Sequence, residues 1–278
     1  MSREAYKTDL TDAQWERLAP LLPPAKPGGR PRGTDLREVL NTLFYLDRTG
    51  CQWALLPHDL RPKSTVYEYF ARWRNDGTWA AINAALRERV RTEQAPSGKP
   101  TPSAASLDSQ TTQSSGAGGE RGFDGAKQTT GRKRHVAVDT LGLLLAISVT
   151  AASVDDAAAA PAVLSQLDAA RFPRLEVIWA DAKYHNHRLN DWIAEAKPLW
   201  RLEIVRRPEG TKGFMLLPKR WMIERTFGWL RRCRRLGREY ERRTDSGEAL
   251  VQLASIRLML GRLAPSQVDP PFRYRLAA

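Results

Sequence analysis

Cysteine is nearly absent. Cys51 and Cys233 are the only two in 278 residues, they lie far apart, and no CxxC or CxxH pattern surrounds either. That excludes a disulfide framework and a zinc finger or ribbon. Long apolar runs are missing too, with nothing near the ~20 residues that a membrane span needs. The start, MSREAYKTDLTDAQW, has no apolar signal region, so a cytoplasmic protein is expected. Negative charge is in short supply. Thirty-one Asp and Glu stand against 44 Lys and Arg, giving a net charge of +13 and a pI near 10.1. Such a balance fits a polyanionic partner, most often nucleic acid. Apolar residues are not scarce: at 42% they suffice for one or two domains with real cores.

The positive surplus is concentrated in Lys219 to Arg243, KRWMIERTFGWLRRCRRLGREYERR, which holds ten Lys and Arg against three acids. Read as one helix at about 100° per residue, Met222, Ile223, Phe227, Trp229, Leu230, Cys233 and Leu236 form a broad apolar arc. Arg220, Glu224, Arg231 and Arg235 form a narrow strip at its edge. One carboxylate among arginines reads either as a salt-bridged surface or as a metal-binding acid whose neighbours hold phosphates.

Before this stretch the chain changes character once. Thr11 to Gln14 and Asp35 to Glu38 are capping boxes, each opening a helix. Pro23-Pro24 ends the first helix and Gly50 the second, and KPGGRPRG (26–33) between them is a basic turn. Ser64 caps a third helix carrying Val66, Tyr67, Phe70 and Trp73, which Gly77 closes. A fourth runs from Trp79 to about Thr92. This arrangement is compatible with a helix-turn-helix-like unit, with Lys63 and Arg72 on or beside its recognition helix. Residues 1–92 are therefore expected to be a helical DNA-binding domain. The Pro-, Ser- and Ala-rich segment that follows reads as a linker over 93–104. A second domain is expected over 105–265, and a loose tail over 266–278.

The second region alternates. Strands are expected around Asp108, over Arg132–Val138 and Leu143–Thr150 as a hairpin, at Leu175–Ala180 ending on Asp181, and at Leu202–Val205. Helices follow the third, fourth and fifth strands. A hairpin meander followed by right-handed crossovers gives an α/β fold, a mixed sheet flanked by helices in ribonuclease H-like order. In that order the first strand is central and lies beside the fourth. Asp108 and Asp181 become neighbours although 73 positions apart, and Glu224 leans over them from the basic helix, farther off without metal. Three converging carboxylates can hold two hard divalent cations through oxygen. Two such ions clamp an in-line phosphoryl displacement, and arginines on the same strip would grip phosphate oxygens.

The motifs at this point resemble those of a known family. LTDAQWERLAPLLPP, RTGCQW and TVYEYFARWR look like the N-terminal region of DDE-class insertion-sequence transposases of the insertion sequence 5 group. LDSQ, GRKRHVAVDTLGLLL, IWAD and RWMIERTFGWL look like its catalytic core. The resemblance covers nearly the whole chain and implies Asp108, Asp181 and Glu224 as catalytic and metal-binding acids. Mg²⁺ is the implied cofactor, with Mn²⁺ as a substitute and two ions bound. The related insertion sequence 4 group carries Tyr, Arg, Glu and Lys where this chain has Leu217, Arg220, Glu224 and Arg231. The arginine and glutamate match, the charge at Arg231 is kept, and the tyrosine is lost. The resemblance also implies double-stranded DNA as partner, both terminal inverted repeats and target, and a homodimer or higher assembly in the synaptic complex. No membrane partner is implied, and the nucleoid is the expected location.

Rival readings are a ribonuclease H-like nuclease without strand transfer and a DNA-binding regulator with an inactive core. Arg132, Lys133, Arg134 and Arg235 are further candidates for DNA contact. Asp139 sits in a hairpin turn, where local hydrogen bonding explains it. Helix capping explains at least one of Asp155 and Asp156. His185 and His187 read as a polar loop.

Overall fold

The computed structural model describes residues 3–25, 28, 32–116, 118–197, 199–206, 210 and 217–266. Most of the basic turn at 26–33 and nearly all of the expected tail lie outside these residues. Helix α1, Asp12–Leu18, opens with the expected capping box: Gln14 N–H donates to the Thr11 hydroxyl and Thr11 N–H to the Gln14 side chain. The Asp35 carboxylate caps α2, Leu36–Thr49, by accepting from Arg37 and Glu38 N–H. Gly50 ends α2 at φ +71°, and a Cβ there would come within 3.0 Å of Arg234. Helix α3 spans Lys63–Asn75, starting after Pro62 rather than at a Ser64 cap, and α4 spans Thr78–Gln94.

The second half alternates strands and helices: β1 Ala104–Gln113, β2 Gly122–Asp124, β3 Thr129–Asp139, β4 Leu144–Ala151, α5 Asp156–Leu164, β5 Val177–Ala180, α6 His187–Ala196, β6 Arg201–Ile204, α7 Pro218–Leu230 and α8 Thr244–Leu263. The six strands form one sheet. Strand β1 is central, antiparallel to β3 and parallel to β5, while β4 pairs β3 antiparallel and β6 pairs β5 parallel. That is the expected order, with one addition. The stretch expected to be a Gly-rich loop contains β2, which pairs with the start of β3.

Because side chains alternate along a strand, the sheet has two distinct faces. Ala105 and Leu107 of β1 join Ala137, Ile178, Val163, Leu164, Leu189 and Ile193 in a core beneath α5 and α6. Val136 and Val138 of β3 face the other way. They join Ile223, Phe227 and Leu230 of α7 and the long apolar face of α8. This second core continues into the N-terminal helices through Leu40, Phe44, Phe70, Trp79 and Leu86. The segment at 95–103 thus divides two regions of sequence but not two cores. Buried polar contacts reinforce the junction: Arg87 donates to the Leu144 carbonyl, and Arg91 pairs with Asp139.

The arginine-rich stretch is not one helix. α7 stops at Leu230, a short 3₁₀ turn follows at Arg234–Gly237, and α8 starts at Thr244. Continued as a helix, Arg231, Arg232, Arg234 and Arg235 would stack like charges at i+3 and i+4, which is unfavourable. The broken path instead buries Cys233, Leu236 and the Arg235 side chain. Among the described residues no helix is long and apolar enough to cross a membrane.

Candidate active site

The β1–β5 ladder fixes the first two acids. Its last paired residues are Ser106 and Trp179. Asp108 and Asp181 each lie two positions beyond that pair, so they emerge side by side where the two strands part. Each carboxylate is oriented by a nearby backbone amide, Ser109 N–H at 2.7 Å from Asp108 and Lys183 N–H at 2.9 Å from Asp181.

Helix α7 brings a cation to them. Arg220 Nη2 lies 3.3 Å from Asp108 Oδ2 and 3.7 Å from Asp181 Oδ2, with all three side chains under one-fifth exposed. The helix is pinned at both ends of this contact. The Ser106 hydroxyl donates to the Lys219 carbonyl at 3.2 Å, and the Thr226 hydroxyl donates to the Gly142 carbonyl at 2.8 Å. Gly142, at φ +76°, is needed there, because a Cβ would lie 2.7 Å from Thr226 Oγ1. Lys219 pairs with Glu203 of β6 and rides over the Trp179 ring, which ties the start of α7 across the sheet. Burial, with a smaller contribution from Asp181, pushes the Asp108 carboxyl up to about 6 although Arg220 opposes the shift.

Glu224 lies one turn beyond Arg220 on α7 and is exposed. The structure brings Asp108 and Asp181 together and leaves Glu224 outside their contact. Among the described residues no three His, Cys, Asp or Glu side chains form a metal-sized cluster. The donor chemistry of the pair still suits a hard cation, since two carboxylates already share one positive centre.

Arg231, the residue after α7, keeps helical backbone angles (φ −60°, ψ −18°) and so stays on the strip with Arg220 and Glu224. It lines a polar groove of about 490 Å³ with Gln110, Thr112, Gln128, Thr130 and Gly237. Gln110 and Thr112 follow Asp108 at two-residue steps on β1 and share its face of the sheet. Lys63 and Arg72 are exposed on α3, where Arg72 pairs with Glu68.

Four candidate DNA contacts are corrected by their burial. Arg132 and Arg134 are each 1% exposed. Arg132 donates to the carbonyls of Glu120, Glu241 and Arg242, and Arg134 to Glu239 and the Leu236 carbonyl. Arg235 pairs with Glu241 and donates to the Cys51 carbonyl, well off the strip because α7 has already ended. Lys133 points to the opposite face, 3.2 Å from Asp156 and 2.8 Å from the Val154 carbonyl. These four hold the fold together and present no free cation to a ligand.

Behind Asp108 lies a polar cluster that was not foreseen. Asp155 caps α5 through Ala157 and Ala158 N–H, which frees Asp156 to turn inward. Asp156 accepts from the Ser109 hydroxyl at 2.7 Å and pairs with Lys133. Burial pushes its carboxyl up, but the Ser109 hydrogen bond and Lys133 outweigh that and hold it below the usual range. The signal was the strand period: Lys133 lies between two arginines on β3 and must face away from them. Asp139, as expected, is structural, accepting from Leu141 and Leu143 N–H in the hairpin turn.

The site thus gathers two adjacent carboxylates where β1 and β5 part, with a helix-borne arginine between them. The chain belongs to the transposase DDE domain family, whose model matches residues 99–259. Residues 10–83 match a second model, described as "Putative transposase of IS4/5 family". The chain is 30% identical over 129 residues, 44% of its own length, to a Burkholderia cepacia protein described as "Putative transposase for insertion sequence element IS402". It is 32% identical over 77 residues, 28% of its length, to "Uncharacterized protein y4sN" of Sinorhizobium fredii (strain NBRC 101917 / NGR234). The matches span 60% and 62% of those two proteins.

Proposed function

We propose that this chain binds the ends of a mobile DNA element and carries out their cleavage and transfer to target DNA. The observation that carries the reading is the convergence of Asp108 and Asp181 on a single positive centre at a strand parting. Asp108 and Asp181 offer the oxygens that would hold divalent cations, Mg²⁺ or Mn²⁺, and Glu224 supplies the third carboxylate from α7. Bound cations lower the pKa of the attacking hydroxyl or water and neutralise charge on the leaving oxygen. In the first step a water oxygen attacks an end phosphate, the bond to the 3′ oxygen breaks, and a 3′-hydroxyl is released. In the second step that hydroxyl attacks a target phosphate and displaces the target 3′ oxygen. One phosphodiester replaces another, and no covalent protein intermediate forms.

Arg220 and Arg231 lie on the strip that would face the reacting strand, where guanidinium groups bind phosphate oxygens in pairs. The groove lined by Gln110 and Thr112 gives that strand a polar path along β1. Lys63 and Arg72 on α3 are the cations proposed to meet the element ends as duplex DNA. Two chains, one on each end, form the proposed synaptic assembly, which acts on chromosomal DNA in the nucleoid.

The test is incubation of a labelled inverted-repeat end with a supercoiled target plasmid in Mg²⁺. The reading expects both a nicked end and a joined product. Nicking without joining would favour a nuclease, and binding without either product would favour a regulator with an inactive core.

A further inference from the structure

The space between Asp108 and Asp181 is already taken by a cation that belongs to the chain. Arg220 Nη2 reaches both carboxylates, at 3.3 and 3.7 Å, from a position less than one-fifth exposed. No carboxylate other than Asp108 and Asp181 is paired with Arg220 among the described residues. Two like charges emerging from adjacent strands repel, and one guanidinium between them offsets that repulsion. Glu224, on the same helix and one turn away, lies outside the contact and is exposed. The helix that would deliver the third acid is thus the helix that delivers the plug.

We infer that Arg220 is a stand-in cation: it holds Asp108 and Asp181 together in the DNA-free protein and must leave them before divalent metal enters. The inference rests on the proposed function, in which these two acids hold metal. Its physical basis is competition, since a guanidinium and a divalent cation cannot occupy one gap between the same two oxygens. A phosphate oxygen entering beside α7 gives the guanidinium an alternative anionic partner with matching two-pronged geometry. Release of the acids is then coupled to arrival of DNA, and the two ligands favour each other's binding. The metal site would stay largely closed until substrate is in place.

The experiment measures Mn²⁺ binding to the full-length protein without DNA, by electron paramagnetic resonance of the free ion. Arg220→Gln removes the charge and keeps a side chain of similar reach. It should bind Mn²⁺ about tenfold more tightly than wild type or better, because a unit charge near two carboxylates no longer opposes the ion. Adding a labelled end duplex with non-cleavable linkages should tighten Mn²⁺ binding to wild type but change little in Arg220→Gln. A merely structural ion pair predicts the reverse, with weaker metal binding once the acids splay. Unchanged or weaker Mn²⁺ binding in a folded Arg220→Gln overturns the inference. A second measurement covers loss of folding in that variant: the Arg220 Nε resonance of wild type should shift on adding Mg²⁺ together with the non-cleavable end duplex, and a resonance that stays put also overturns it. If Asp108→Asn and Asp181→Asn bind Mn²⁺ as well as wild type, the two-acid metal site itself is wrong. If they lose it while Arg220→Gln gains nothing, only the stand-in role is wrong.

Discussion

The guanidinium of Arg91 on α4 lies 2.7 Å from the carboxylate of Asp139 at the end of β3, and the two side chains are 4% and 0% exposed. This pair crosses from the N-terminal helices to the sheet. Breaking a buried pair by removing one partner costs about 3–5 kcal/mol, because the other charge is stranded. Arg91→Ala should therefore lower the unfolding midpoint of the whole chain in a single transition. A fragment ending near residue 94 should fail to give a cooperative melt. Two separate transitions in the full-length protein would contradict the shared core.

Arg134 and Arg231 should behave oppositely despite equal charge. Arg134 is 1% exposed and paired with Glu239, so Arg134→Ala should cost about 3–5 kcal/mol in a denaturant titration. Arg231 is exposed at the end of α7, so Arg231→Ala should change stability by less than about 0.5 kcal/mol. Its effect should appear in end cleavage, and Arg231→Lys should keep most activity because the positive charge remains. Equal loss of stability in both alanine variants would count against this division.

Asp47 should make the fold less stable as pH rises. It is fully buried on α2, and burial pushes its carboxyl up to about 6, with the Cys233 thiol and Arg257 opposing the shift. The folded state therefore holds this proton more tightly than the unfolded chain, whose Asp titrates near 3.9. Between about pH 4 and 6 the folded state binds more protons, so stability falls as pH rises through that window. Asp47→Asn removes this cost and should be more stable than wild type by about 3 kcal/mol at pH 8, with little difference at pH 4. Urea titrations at the two pH values decide it, and an Asn variant that is weaker at pH 8 would refute it.

Much of the fold could be read from residues in order. Turn residues and period-two runs marked five of the six strands, and their order placed Asp108 next to Asp181. The short β2 was hidden because its pairing with the start of β3 compensates for a glycine-rich composition. The fates of Arg132 and Arg134 were hidden for another reason. Charge on a strand reads as surface, and Glu239, which buries with both, lies more than a hundred positions away. The break after Leu230 was not visible in helical periodicity, since Cys233 and Leu236 fit the apolar arc of a longer helix equally well. The shared core escaped because a Pro- and Ser-rich segment between two patterns says nothing about whether they pack together. Of the site, the pairing of Asp108 with Asp181 was legible and the contact of Arg220 with both was not, because i-to-i+4 spacing relates residues within a helix only.

Glu224 is exposed and one turn from Arg220, so Glu224→Gln should leave thermal stability within about 0.5 kcal/mol of wild type. End binding should persist and Mg²⁺-dependent cleavage should be lost. A Glu224→Gln protein that cleaves like wild type would make α7 a positioning helix without a catalytic acid.

The most direct measurement is single-turnover cleavage of a labelled inverted-repeat end in Mg²⁺ by Asp108→Asn and by Asp181→Asn, each beside a binding gel. Both variants keep the size of the side chain and remove its charge. Each should bind the end and cut it on the order of a thousandfold more slowly, or not at all. Cleavage within about tenfold of wild type in either variant, with binding intact, would contradict the assignment of these neighbouring carboxylates as the reaction centre.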